Sequence, residues 1–277
     1  MNRWDQAVAV VTGAASGIGL ALSRELARRG ARVWMTDVNA PAAEAAAAAL
    51  GPSVRSAGLD VRDAAAVRDR IEQVAREAGR IDFLFNNAGI GVSGEVQDLG
   101  AEHFDRIIDI NIRGVANGIV AAYPRMVKQG SGHIVNTASL AGLTPVPLLV
   151  PYAMTKHAIV GLSESLRLEA ERYGVRVSAL CPAAVETPLL DADNPADLRR
   201  PWHPNVRRYL ERLAGPAYPV DRLAVEALRG VERNQGLIII PARARLIARL
   251  YRLAPGLVVS GGQKVLAQER AGHPSGG

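Results

Sequence analysis

Seven short runs of mostly apolar, often β-branched residues recur along this chain, and most gaps between them hold one helix. They are AVAVVT (7–12), RVWMTD (32–37), VRSAGLD (54–60), IDFLFN (81–86), GHIVNTA (132–138), VRVSALC (175–181) and LIIIP (237–241). Their apolar residues are largely continuous rather than alternating, so both faces of each strand are expected to be covered. The intervening patterns predict helices over 17–29, 41–50, 63–78, 101–129, 151–173 and 220–233. Strand–helix alternation of this kind implies an α/β protein: a doubly wound, mostly parallel, seven-stranded sheet with helices on both faces. Gly30 and Gly174 stand just before the next strand, where helix C-caps belong.

No internal repeat and no Pro-, Gly- or Ser-rich linker divides the 277 residues, so one domain over 1–277 is expected. Residues 188–219 break the alternation and read as an inserted cap. A basic helix and tail occupy 242–277, and the tail is expected to fray after Ala267. The formal charge of +6 raises the question of nucleic acid. The arginines, however, are interspersed with 27 acids, and no zinc-finger, RNP-like or basic-region pattern accompanies them, so no nucleic-acid partner is expected. The single cysteine, Cys181, excludes an internal disulfide and suits a reducing compartment. No apolar run reaches the roughly 18 residues of a membrane span. The N-terminus lacks a signal-peptide layout, and a cytoplasmic protein is expected.

The stretch VVTGAASGIG joins the first strand to the first helix and carries Gly13, Gly17 and Gly19. A glycine turn there lets the backbone approach a pyrophosphate, while the helix N-terminus supplies amide donors and a favourable dipole. Asp37 closes the second strand, where a carboxylate can accept from both ribose hydroxyls of an adenosine and would repel a 2′-phosphate. Ala14 and Ala15 offer no cation for that phosphate, so NAD is favoured over NADP. The plainer role for Asp37 is an N-cap for the helix near Pro41.

The spacing Gly-x3-Gly-x-Gly, NNAG at 86–89, and Tyr152 four positions before Lys156 occur in this order, and over about residues 5–190 the chain resembles the short-chain dehydrogenase/reductase family. The resemblance implies a Rossmann-type fold, a hydride-transferring enzyme and a homodimer or homotetramer. It implies a cofactor loop containing Thr12, Gly13, Ser16, Gly17, Ile18 and Gly19. It implies that Asp60 and Val61 hold the adenine, and that Asn87 and Gly89 line its ribose. In CPAAVETP it assigns Pro182, Val185 and Thr187 to the nicotinamide side, with Ala183 standing where the family usually has glycine. It marks Asn111, Ser139, Tyr152 and Lys156 as catalytic, with Tyr152 and Lys156 also touching the cofactor.

The chemistry suits those types. Tyr152 and Lys156 lie one helical turn apart, so they share a face. A secondary alcohol needs a base as its hydride leaves, and a free phenol, near 10, is too weakly acidic. A neighbouring ammonium, with a cationic nicotinamide, is expected to lower that pKa. Lysine is informative here, being one of three against 30 arginines. Ser139 would donate to the developing oxyanion. Asn111, by resemblance, would hold a water leading from Lys156 to solvent.

Between Ser139 and Tyr152 runs LAGLTPVPLLVP, nearly free of polar side chains. Bordering the site, it predicts an alcohol or ketone with a hydrophobic body: cyclic, aromatic, steroid-like or long-chain. Trp202, His203 and Tyr209 are candidates for a lid. Residues 242–253, ARARLIARLYRL, form a basic amphipathic helix. Helices of this kind can lie on anionic membranes, but packing on the domain or on a partner subunit is the expected role. Oligomerisation is expected through helices 101–129 and 151–173. The competing readings are a non-catalytic dinucleotide sensor on the same fold, which would usually lack the tyrosine or lysine, and a sugar-nucleotide epimerase on a larger scaffold.

Overall fold

A computed structural model of the chain describes residues 3–198 and 202–271. Its sheet contains β1 (Val8–Thr12), β2 (Arg32–Asp37), β3 (Val54–Gly58), β4 (Phe83–Asn86), β5 (Gly132–Thr137), β6 (Val175–Pro182) and β7 (Leu237–Ile240). The order is β3-β2-β1-β4-β5-β6-β7, and every pairing is parallel. The chain winds outward from β1 to β3, then returns to β4 and winds the other way. A crevice is therefore left between the carboxyl ends of β1 and β4, where such sheets bind ligands.

Successive side chains of one strand face opposite ways, so β1 feeds two cores. Ala9 and Val11 enter a cluster with Leu22 and Leu26 of α1 (Gly17–Arg28), Ala47 of α2 (Ala40–Leu50) and Leu228 of α8 (Val220–Glu232). Val8 and Val10 face the other way, toward Val74 of α3 (Ala64–Ala78), Met126 of α5 (Gly114–Gln129) and Ala170 of α6 (Val150–Ala170). These continuous apolar strands are covered on both sides, as their pattern required.

Three differences from the sequence expectations matter for the site. The helix predicted over 101–129 is α4 (Ala101–Ile108), a π turn over Asp109–Arg113, then α5. Such a turn inserts one residue into the helix, and here it holds Asn111 fully inside. The segment 188–219 contains α7 (Val206–Ala214), capped by Asn205, whose Oδ1 accepts from the Arg208 amide at 2.8 Å. Beyond β7, α9 (Ala242–Leu253) is followed by α10 (Pro255–Ala271), a 17-residue helix that the sequence did not announce. Gly256, Gly261 and Gly262 lower its intrinsic propensity. It stands because Val265 and Leu266 pack onto the cluster around Tyr209, and because Glu269, 3% exposed, receives Arg208 at 2.6 Å and Arg212 at 3.7 Å. Arg270 adds a pair to Glu95 at 2.6 Å. The fraying expected after Ala267 is thus corrected as far as Ala271, and the last residues lie outside those described. No helix among the described residues is long and apolar enough to cross a membrane.

Candidate active site

At the carboxyl end of β1 the chain turns so tightly that two positions exclude any side chain. A Cβ on Gly13, whose φ is +63°, would lie 2.7 Å from the Cα of Ala88. One on Gly19 would lie 2.1 Å from the Gly13 carbonyl oxygen and 2.6 Å from Asn87 Nδ2. Thr12 and Asn87 hold the turn. The Thr12 hydroxyl accepts from the amides of Asn87 and Ala88, both at 3.0 Å. Asn87 Nδ2 donates to the carbonyls of Thr12 and Gly13, both at 3.1 Å, while its Oδ1 accepts from the Thr137 hydroxyl at 3.2 Å. The ends of β1, β4 and β5 are thereby tied into one rim.

Over that rim lies a cleft of about 460 Å³. Gly13, Ser16, Gly17 and Ile18 form one wall, and Asp60, Val61, Asn87 and Gly89 another. Asp37 reaches it from the end of β2. Its carboxylate accepts from the Ala15 amide at 3.0 Å and from the Asn39 amide at 2.9 Å. The α2 cap is Asn39 instead, accepting from Ala42, so Asp37 is not that helix's N-cap. Asp60 pairs with Arg62 at 2.6 Å, and the Arg62 guanidinium holds its carboxyl below the usual range. Thr12 and Gly19 act inside the loop rather than on the cleft surface. Val185 lines a second cavity, whereas Pro182 and Thr187 line both. The Ala183 amide donates to the Ile240 carbonyl at 2.8 Å.

The inner end of the cleft brings Tyr152 and Lys156 together. Lys156 is buried, its Nζ donating to the Thr137 carbonyl at 2.8 Å and lying 5.4 Å from the centre of the Tyr152 ring. Burial depresses its pKa to about 8. The Tyr152 phenol moves the other way. Burial raises its pKa, and a hydrogen bond with the Ser139 side chain only partly offsets that. Desolvation dominates at the phenol, and the Lys156 ammonium is engaged by a backbone carbonyl. Ser139 also caps the short turn Leu140–Gly142, its Oγ accepting from the Ala141 amide at 3.1 Å.

Asn111 is held by groups from two other segments. Its Oδ1 accepts from the Ile90 amide at 2.9 Å, and its Nδ2 donates to the Ile90 carbonyl at 3.0 Å and the Thr155 hydroxyl at 3.2 Å. Both amide hydrogens are used, so the side chain braces α6 and the loop after β4. A Cβ on Gly89 would sit 3.1 Å from Asn111 Oδ1, so a side chain there would press on the Asn111 amide.

Ser139 and Tyr152 also face a second cavity of about 390 Å³. The segment after Ser139 supplies Leu140, Val146 and Leu149 to its wall, as its apolar character suggested. The far side comes from Val206, Leu210 and Leu213 of α7, Ile247 of α9, and Val258 and Val259 of α10. The lid aromatics are a correction. Tyr209 is fully buried in a cluster with Trp202, Val146, Leu148, Leu149 and Ala153, between the cap and the segment after Ser139, while His203 Nε2 lies 2.7 Å from the Ser93 hydroxyl. None of the three lines the cavity. Val206, Leu210 and Leu213 of the same helix face the cavity instead. The contribution of α10 had only one sequence signal, the Val258–Val259 pair in a stretch otherwise weakened by glycine.

A glycine turn at the switch point of a doubly wound sheet, leading into a cleft with a buried lysine, defines the class: a dinucleotide-binding oxidoreductase. Residues 7–197 match the short chain dehydrogenase family, and the chain belongs to it. It is 37% identical over 207 residues to levodione reductase of Leifsonia aquatica, covering 70% of this chain and 78% of that one. A short-chain dehydrogenase/reductase from Burkholderia phymatum, solved in complex with NAD, superposes with a TM-score of 0.83 at 31% identity, over 93% of this chain and 96% of that one. A 3-ketoacyl-(acyl-carrier-protein) reductase from Brucella melitensis, complexed with NADH, gives 0.74 at 30% identity, over 85% and 95%.

Proposed function

We propose that this oxidoreductase transfers a hydride between NAD and a secondary alcohol or ketone with a hydrophobic body, using Tyr152 as the acid/base. The observation that carries the reading is the meeting of the two cavities: Tyr152 lines both, with Ser139 beside it and a predominantly apolar wall beyond. The donor set fits a dinucleotide. The Gly13–Gly19 turn leaves room for a pyrophosphate against α1, and Asp37 presents a carboxylate where a ribose diol would lie. NAD bound there would supply the hydride acceptor.

The chain's own residues would then manage the proton. Ser139 holds the substrate oxygen beside the phenol and donates to it as negative charge develops. Tyr152 takes the proton in oxidation and returns it in reduction. A pKa raised by burial suits the acid role in reduction, and the cationic ring of the oxidised cofactor would pull it down for the base role. Lys156 holds the lower end of the cleft, and its ammonium favours phenolate when charged. NAD is preferred over NADP because Asp37 would face a 2′-phosphate with like charge. Assembly into a homodimer or homotetramer belongs to the same reading, supported by Val120 on α5 and Leu168 on α6, 74% and 77% exposed.

The test is a panel of hydrophobic alcohols and ketones, followed at 340 nm with NAD and NADP in parallel. Turnover of the panel with NAD is expected, and Tyr152→Phe should lose at least about a hundredfold while still binding NADH. Tight NADH binding with no turnover, unchanged by Tyr152→Phe, would favour a sensor. Equal turnover of polar sugars would overturn the substrate class.

A further inference from the structure

The α9–α10 corner has two working sides. Inward, Ile247, Val258 and Val259 close the second cavity. Outward, Leu246, Leu250, Leu253 and Leu257 are 69%, 41%, 84% and 64% exposed. Val259 belongs to both, lining the cavity while 40% exposed. At Val259 the cavity wall therefore reaches the outside of α10.

Charge is arranged around that surface with one sign. Leu246, Leu250 and Leu253 follow helical spacing, and Arg245, Arg249 and Arg252 each precede one of them in a parallel stripe. From Ala242 to Gln268 there are five cations, counting Arg243 and Lys264, and no acid. Arg243 donates to the carbonyls of Ala214 and Pro216, and Arg245 to that of Ile239, contacts that leave their charge unneutralised. Arg249 and Arg252 are exposed.

We propose that this face docks on an anionic lipid surface, with the leucines at the acyl boundary and the guanidiniums among the headgroups. The cavity edge at Val259 would then face the lipid phase, so that a lipophilic alcohol or ketone enters without crossing water. A second copy on the same face would set arginine stripes against each other, with no acid in the segment to answer them. The entry route rests on the substrate reading given above. The docking stands on the surface alone.

The experiment is co-sedimentation of the full chain with phosphatidylcholine vesicles, with and without phosphatidylglycerol, at low and high salt. At least about tenfold tighter partition onto the anionic vesicles is expected, abolished by salt. Leu246→Ser with Leu253→Ser should weaken it about tenfold, and so should the triple change Arg245→Gln, Arg249→Gln, Arg252→Gln. Both sets alter exposed side chains, so melting temperatures near the parent's are expected alongside. Equal binding to both vesicle types, or binding untouched by either set, would overturn the proposal. So would a fall in oligomer mass on the leucine changes, which would assign the face to a second copy. Binding is scored without substrate, so a failure of turnover would strike the functional reading and leave this result standing.

Discussion

Replacing Lys156 by methionine should make the cofactor-free protein more stable while disabling it. Burial lowers the ammonium's pKa from 10.5 to about 8, a shift equivalent to about 3 kcal/mol of cost for keeping the charge inside at neutral pH. Methionine fills a similar volume and removes that cost. The variant loses the hydrogen bond to the Thr137 carbonyl, worth about 1–2 kcal/mol once the orphaned oxygen is counted. The balance favours the variant by about 1–2 kcal/mol, or roughly 2–8 °C in Tm for a chain of this size. The assay is thermal unfolding by circular dichroism, without NAD, from pH 7 to pH 10. Below pH 8 the lysine is charged in both the folded and unfolded states, and the full penalty stands. Between about 8 and 10.5 the folded parent binds fewer protons than its unfolded chain, so its stability rises with pH and the gap to the variant closes. Tyr152 and Cys181, whose pKa values burial raises, are common to both proteins and largely cancel in the difference. A variant less stable at pH 7, or a gap unchanged by pH 10, would refute desolvation as the ruling influence on this lysine.

Gly19→Ala forces a Cβ to within 2.1 Å of the Gly13 carbonyl. Overpacking of about 1–3 kcal/mol should weaken NADH binding about 5- to 150-fold by fluorescence titration, and a change under about twofold would contradict the loop assignment. Asp37→Ala removes the carboxylate facing the ribose position, and the ratio of kcat/KM for NADP over NAD should rise at least about tenfold. An unchanged ratio would release Asp37 from cofactor choice. Glu269→Gln unpicks Arg208 and Arg212 from α10, so KM for a hydrophobic ketone should rise several-fold with NADH affinity unchanged. An unaltered KM would mean that α10 does not hold the cavity's shape.

What the amino-acid sequence settled alone is what short-range physics controls. Continuous apolar runs dictate strands covered on both faces, and the glycines of the first turn report a local steric limit that no other residue meets. The pairing of Tyr152 with Lys156 follows from one turn of helix, and the two do share the inner end of the cleft. Several features that depend on distant partners escaped. The π turn at Asn111 is held by Ile90 and Thr155, from separate segments. Helix α10 persists against its glycines because α7 and the loop at Glu95 grip it. Burial raises the phenol's pKa, and burial is a property of the whole surroundings. Strand, turn and motif are local consequences of side-chain pattern, whereas cavity walls, burial and the charge of a buried group are sums over the packed molecule, and only the tertiary structure performs those sums.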